Sequence, residues 1–182
     1  MAHVETELKF KFIKEPDLHK LSPTYLIYQI YFDVNDTKLQ EFIKKRFGLE
    51  TIVFKEFRIR FRYPTNQQEK TSFFLTLKSN GTLERIEYEL ESNPDECLYI
   101  DNNFKHIGSI NKVRYVIKYN ELYIEIDQYL DKLVGLYTAE IEFDKTKYTK
   151  ETITDIIKNI LGNDLLDITD DINYKNSNLC HN

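Results

Sequence analysis

Apolar and polar residues alternate with a period of two through most of this chain, and that period predicts β-strands. From Val4 to Ile13 one face reads Val4, Thr6, Leu8, Phe10 and Phe12, and the other Glu5, Glu7, Lys9 and Lys11. Phe57, Ile59 and Phe61 alternate with Arg58, Arg60 and Arg62. Phe73, Leu75 and Leu77 stand opposite Phe74, Thr76 and Lys78, and Arg85, Glu87, Glu89 and Glu91 opposite Ile86, Tyr88 and Leu90. Further on, Lys112 and Arg114 oppose Val113, Tyr115 and Ile117, Glu125 and Asp127 oppose Ile124 and Ile126, and Glu140 and Glu142 oppose Ala139, Ile141 and Phe143. Another strand is expected at Tyr25 to Asp33. The four histidines are read as lying outside these runs.

Ser79-Asn80-Gly81-Thr82 between two alternating runs is a hairpin signal, and Lys118 to Glu121 a weaker one. Helical spacing replaces alternation at Thr37 to Phe47, through Leu39, Phe42, Ile43 and Phe47, with Gly48 placed to end the helix. The same signature recurs at Thr149 to Leu161, followed by Gly162. Further helices are expected near Asp95 to Phe104 and, shorter, around Pro16 to Leu21. The reading is one α+β domain over residues 1–176, with 177–182 a disordered tail.

An open sheet with one wet face would explain alternation alone, but solvated surfaces usually mix both signs of charge. Here the acids come in pairs on one face, Glu5/Glu7, Glu87/Glu89 and Glu140/Glu142, and Arg58/Arg60/Arg62 is a basic triplet. The alternative is an eight-stranded antiparallel barrel with its charged face inward, wide enough for one small ligand. A lumen of carboxylates and Lys/Arg suits divalent cations plus a polyanion, since hard cations take oxygen ligands and Arg forks grip phosphate.

Composition narrows the partners. The 182 residues carry 30 acids and 25 bases, a formal net charge of −5, which argues against a basic nucleic-acid coat. No apolar run approaches the ~18 residues of a membrane span, and the first residues lack a signal peptide's pattern. Cys97 and Cys180, without metal-ligand spacing, suit reduced thiols and a cytoplasmic location.

The ordered set of strands resembles the CYTH domain, also called the triphosphate tunnel metalloenzyme family. Glu5-Thr6-Glu7-Leu8-Lys9 is similar to its ExExK signature and Ile30-Tyr31-Phe32-Asp33 to its YFD segment. Phe57-Arg58-Ile59-Arg60, Leu75-Thr76-Leu77-Lys78 and Arg85-Ile86-Glu87-Tyr88-Glu89 are similar to its next strands. Lys112-Val113-Arg114-Tyr115 and the run from Gly135 to Phe143 match in the same order, and Thr169 to Asn176 resembles the segment before its C-terminus. One departure is Asn173, where close relatives carry a base, so no clamp is expected from that position. The loop from Pro64 to Lys70 and the insert from Thr37 to Phe54 look longer than in the smallest members.

The resemblance implies metal-dependent hydrolysis of a small triphosphate substrate. Glu5, Glu7, Glu140 and Glu142 are the implied ligands for Mg²⁺ or Mn²⁺, and Glu87, Glu89 and Asp127 the residues for a second ion or its water. Lys9, Arg58, Arg60, Lys78 and Arg114 are the implied phosphate clamps, and Lys112 the residue that helps activate the attacking water. Arg62, Arg85 and Lys11 are read as structural or at the tunnel mouth. The alternatives are a class IV-type adenylyl cyclase, an RNA 5′-triphosphatase using Asp144 as a third acid, or a non-catalytic polyphosphate-binding module.

Overall fold

The computed structural model describes residues 2–51, 54–66 and 68–181. In chain order the elements begin with β1 (Ala2–Phe12), β2 (Tyr25–Phe32), α1 (Thr37–Phe47), β3 (Phe54–Pro64), β4 (Ser72–Ser79) and β5 (Glu84–Ser92). There follow α2 (Pro94–Asn103), β6 (His106–Tyr119), β7 (Leu122–Tyr129), β8 (Tyr137–Glu142), α3 (Lys150–Leu161), β9 (Leu165–Asp167) and α4 (Asn176–Leu179). Single 3-10 turns stand at Asp131–Leu133 and Ile172–Tyr174.

The strands run in the order β5-β4-β3-β2-β6-β7-β8-β1, and β1 pairs back onto β5, so eight antiparallel strands close into a barrel. β1 achieves this by changing partners along its length: residues 2–6 pair with β5, residues 7–11 with β8, and residues 10–12 with the short β9. Closure leaves the barrel no free edge. Two-residue alternation then sends every second side chain into the lumen and the rest outward.

The outward apolar faces form the hydrophobic core on two flanks. Ile153 and Ile157 of α3 pack on Leu8, Phe10, Ile124, Ile126, Ala139 and Ile141. Leu39 and Ile43 of α1, with Cys97 and Ile100 of α2, pack on Phe57, Ile59, Leu75 and Leu77. Each fully buried Ile or Leu contributes about 1.5–3 kcal/mol. The helices are held at their ends as well. Asp36 Oδ1 accepts from the amides of Lys38 (2.9 Å) and Leu39 (3.3 Å), and Gly48 ends α1 in the left-handed region at φ 67°. Asn93 and Thr149 cap α2 and α3 in the same way.

A third cluster lies toward one end of the barrel. Tyr31, Ile110 and Tyr129 share the parity of the lumen residues on their strands and pack against Leu179 and Cys180. Gly108 admits this contact, because a Cβ there would stand 2.0 Å from the Cys180 carbonyl oxygen. Residues 177–181 therefore differ from a disordered tail: α4 leads into Leu179 and Cys180, both buried.

Other expectations change too. Pro16 to Leu21 forms a turn closed by the Leu21 amide on the Leu18 carbonyl (2.9 Å), since six residues around a proline give a helix too little to propagate. His3 and His106 lie inside β1 and β6 rather than outside the strands. The long-loop readings at 37–54 and 64–70 include Ile52, Val53 and Gln67, which lie outside the described residues, as do Met1 and Asn182. Among the described residues no helix is long and apolar enough to cross a membrane.

Candidate active site

The lumen holds a cavity of about 310 Å³ lined by nine basic and nine acidic side chains, so its chemistry lies in how the charges are arranged. Each strand delivers residues at spacing two: Glu5, Glu7 and Lys9 from β1, Arg58, Arg60 and Arg62 from β3, Lys78 from β4, and Arg85, Glu87 and Glu89 from β5. β6 adds Lys112 and Arg114, β7 Glu125, and β8 Glu140 and Glu142.

One group is acidic. Carboxylate oxygens of Glu5, Glu7 and Glu142 all lie within 4.8 Å of one another. Burial opposes charge on Glu5, yet Lys78 (3.0 Å) and Arg85 (2.7 Å) hold its carboxyl well below the usual range. Among the described residues Glu7 pairs only with Arg85, at 3.6 Å, and burial followed by repulsion from Glu140 and Glu5 pushes it up to about 7. Burial, with Glu5 and Glu7 beside it, takes Glu142 up to about 8, although Glu142 is the most exposed of the three and the best screened by solvent. Oxygen donors this close, with too few counter-charges, fit a hard divalent cation.

The other group is basic and crowded. Lys9 binds Glu140 at 2.7 Å, and Arg114 reaches the same carboxylate at 3.2 Å. Arg114 also grips Asp127 with two bonds of 2.7 Å and pairs with Glu125, while Lys112 pairs with the same Asp127. Burial and the neighbouring Arg114 bring the Lys112 ammonium down to about 8, against the pull of Asp127. Arg58 meets Glu56 at 3.3 Å, and Arg60 pairs with Glu89. Burial first, and then repulsion from Arg58, lower the Arg60 guanidinium from its ordinary value. The Nε atoms of Arg58 and Arg60 are buried without a partner among the described residues.

The residues expected from the sequence therefore divide. Lys9, Arg58, Arg60, Lys78, Lys112, Arg114, Glu5, Glu7, Glu87, Glu89, Glu140 and Glu142 all line the cavity. Glu140 is bound by Lys9 and Arg114 and stands outside the carboxylate trio. Asp127, with no exposed surface, is engaged by Lys112 and Arg114 behind the cavity wall. Arg85 is no rim residue, since it lies between Glu5 and Glu7, and its shared parity with Glu87 and Glu89 carried that signal. Glu56 and Gln29 were also legible by parity, whereas Lys175 and Asn176 come from a segment with no period to read. Asn176 Oδ1 accepts from the Tyr129 hydroxyl (2.6 Å) and from Lys9 Nζ (3.4 Å), which ties the C-terminal segment to the site. Asn173 is exposed, and its side-chain amide donates to Asp171 (2.9 Å). Asp144, beyond the end of β8, is exposed and accepts from Thr146.

Comparison with known proteins agrees with this architecture. The CYTH domain family model matches residues 3–167, and the chain belongs to that family. No curated protein matches significantly. Among solved structures, the inorganic triphosphatase NE1496 is similar over 98% of this chain and 95% of its own, at TM-score 0.55 and 23% identity. HpAC1 from Hippeastrum, an adenylyl cyclase candidate with a dominant triphosphatase activity, matches over 85% and 87% at TM-score 0.59 and 20% identity. An adenylate cyclase candidate from Bacillus halodurans matches over 89% and 92% at TM-score 0.57 and 16% identity. At these identities the likeness concerns the fold.

Proposed function

We propose that this protein is a divalent-metal-dependent hydrolase that releases phosphate from triphosphate substrates. The observation that carries the reading is the presence, inside one cavity, of the close-set Glu5/Glu7/Glu142 carboxylates together with the crowded cations Lys9, Arg58, Arg60, Lys112 and Arg114. The activities named for NE1496 and HpAC1 support the same choice.

In this reading the guanidinium groups of Arg58, Arg60 and Arg114 orient the triphosphate and offset charge developing on its oxygens. The partnerless Nε–H donors of Arg58 and Arg60 gain acceptors when phosphate arrives. Lys9 and Lys78 add point charge. Glu5, Glu7 and Glu142 hold Mg²⁺ or Mn²⁺, which when bound neutralises phosphate charge and polarises the phosphoryl group. Lys112 Nζ, its ammonium brought down to about 8, takes the proton of the attacking water. Glu87 and Glu89 hold Lys78 and Arg60 in place. Asp144 lies beyond the end of β8 and is not among the described residues that line the cavity, which disfavours the RNA 5′-triphosphatase alternative that would use it as a third acid.

The test is a panel of tripolyphosphate, thiamine triphosphate, ATP and triphosphate-ended RNA with Mg²⁺ or Mn²⁺, read as phosphate release. Cyclic AMP and pyrophosphate from ATP would overturn the hydrolase in favour of a cyclase, and binding without turnover would favour a binding module. Glu5→Gln is expected to abolish metal-dependent turnover in a folded protein, and retained activity would sink the metal assignment.

A further inference from the structure

The end of the cavity away from α4 has a chemistry unlike the rest of the lumen. β2 runs from Tyr25 to Tyr31, and Tyr31 belongs to the cluster toward the α4 end. Tyr25, six residues back at ~3.3 Å per residue, stands about 20 Å away along the strand. There the Arg62 guanidinium lies over two rings at once, 4.8 Å from the centroid of Tyr25 and 5.1 Å from that of Phe74. Arg60 also lies over the Phe74 ring, at 5.3 Å from its centroid. The Tyr25 hydroxyl donates to Glu69 (3.2 Å), and Arg62 Nε donates to the Ser72 hydroxyl (3.1 Å), so both planes are fixed.

Arg62 differs from the phosphate-clamp cations in a second way. Lys9, Arg58, Arg60, Lys78, Lys112 and Arg114 each have a carboxylate within 4 Å, whereas Arg62 has none among the described residues. A cation with no carboxylate partner among the described residues, layered with two aromatic rings, brings flat π surfaces and positive charge together. Such layers bind planar, electron-rich groups by stacking, largely irrespective of their hydrogen-bonding edges. Arg60 connects this layer to the clamp, because it touches both Phe74 and Glu89.

We propose that Tyr25, Arg62 and Phe74 form a stacking platform for a planar ring joined to the triphosphate, so that the site prefers ring-bearing triphosphates over inorganic tripolyphosphate. This rests on the triphosphate reading of the cavity and extends it to the organic group. A purine and a thiamine-type ring share the chemistry the platform recognises.

Calorimetric titrations of the full chain with ATP, thiamine triphosphate and tripolyphosphate, in EDTA so that none is turned over, test it. Arg62→Lys keeps the charge and removes the plane, and Tyr25→Leu removes one ring. Each is expected to weaken ATP or thiamine triphosphate about tenfold, the size of one lost stacking contact, while tripolyphosphate changes less than twofold. Phe74→Leu supplies an independent variant should Tyr25→Leu fail to fold. Equal weakening of all three ligands, or no change in either ring-bearing one, overturns the platform. Binding without metal needs no hydrolysis, so a failure of the hydrolase reading shows in the turnover panel and leaves this comparison intact.

Discussion

Lys112 is 1% exposed, shares Asp127 with Arg114, and has its ammonium brought down to about 8. A lysine in that state gains proton-accepting capacity as pH rises through its folded value. The expected outcome is a kcat/KM that climbs with pH to a plateau above about 8, and a Lys112→Arg variant that keeps the charge and loses the climb. An unchanged pH profile in that variant would remove Lys112 from the proton-transfer role. At this scale the sequence was legible wherever parity applied. Two-residue spacing assigned Lys9, Arg58, Arg60, Lys112 and Glu140 to one surface without any contact being known. It could not say which acid would neutralise which base. Glu140 and Asp127 lie on lumen parity like Glu7, but cations occupy them, and only the shear of the closed barrel decides that pairing.

Helices α1 and α3 were readable because each carries its own stop and start, Asp36 and Gly48 for one, Thr149 and Gly162 for the other. β9 and α4 were not. Three and four residues hold no period, and their order comes from partners far along the chain: Phe10 and Phe12 for β9, Tyr31, Ile110 and Tyr129 for α4. This makes α4 a point of test. Leu179→Ala is expected to lower stability by about 2–3 kcal/mol in urea unfolding, as for other buried leucines, where a frayed tail would give close to zero. Ile157→Ala on α3, at a position with no exposed surface, is expected to lose about 2–5 kcal/mol without changing the cavity.

For the whole molecule the net charge of −5 mattered less than its distribution, since the lumen is balanced and pairs most of its acids with its bases. The balance makes stability depend on pH in two opposed ways. Glu5, Glu140 and Asp127 lie below their ordinary values, so their contribution is present at neutral pH and is lost as pH falls through those lowered values. Glu7 and Glu142 lie above the ordinary 4.5, at about 7 and 8, so the metal-free fold loses stability progressively as pH rises across that interval. A cation on these carboxylates displaces their protons. The Tm of the metal-free protein is expected to fall between pH 5 and 8, and Mg²⁺ to raise it more at pH 8 than at pH 5. An equal rise at both would count against the trio as the ligand set. The residues packed at the α4 end carry a different consequence. Tyr31, Tyr129 and Leu179 pack together at that end of the strands. Lengthening a bound phosphate chain in that direction would press charge against an apolar cluster, which costs more than lengthening it toward the polar residues Tyr25 and Arg62.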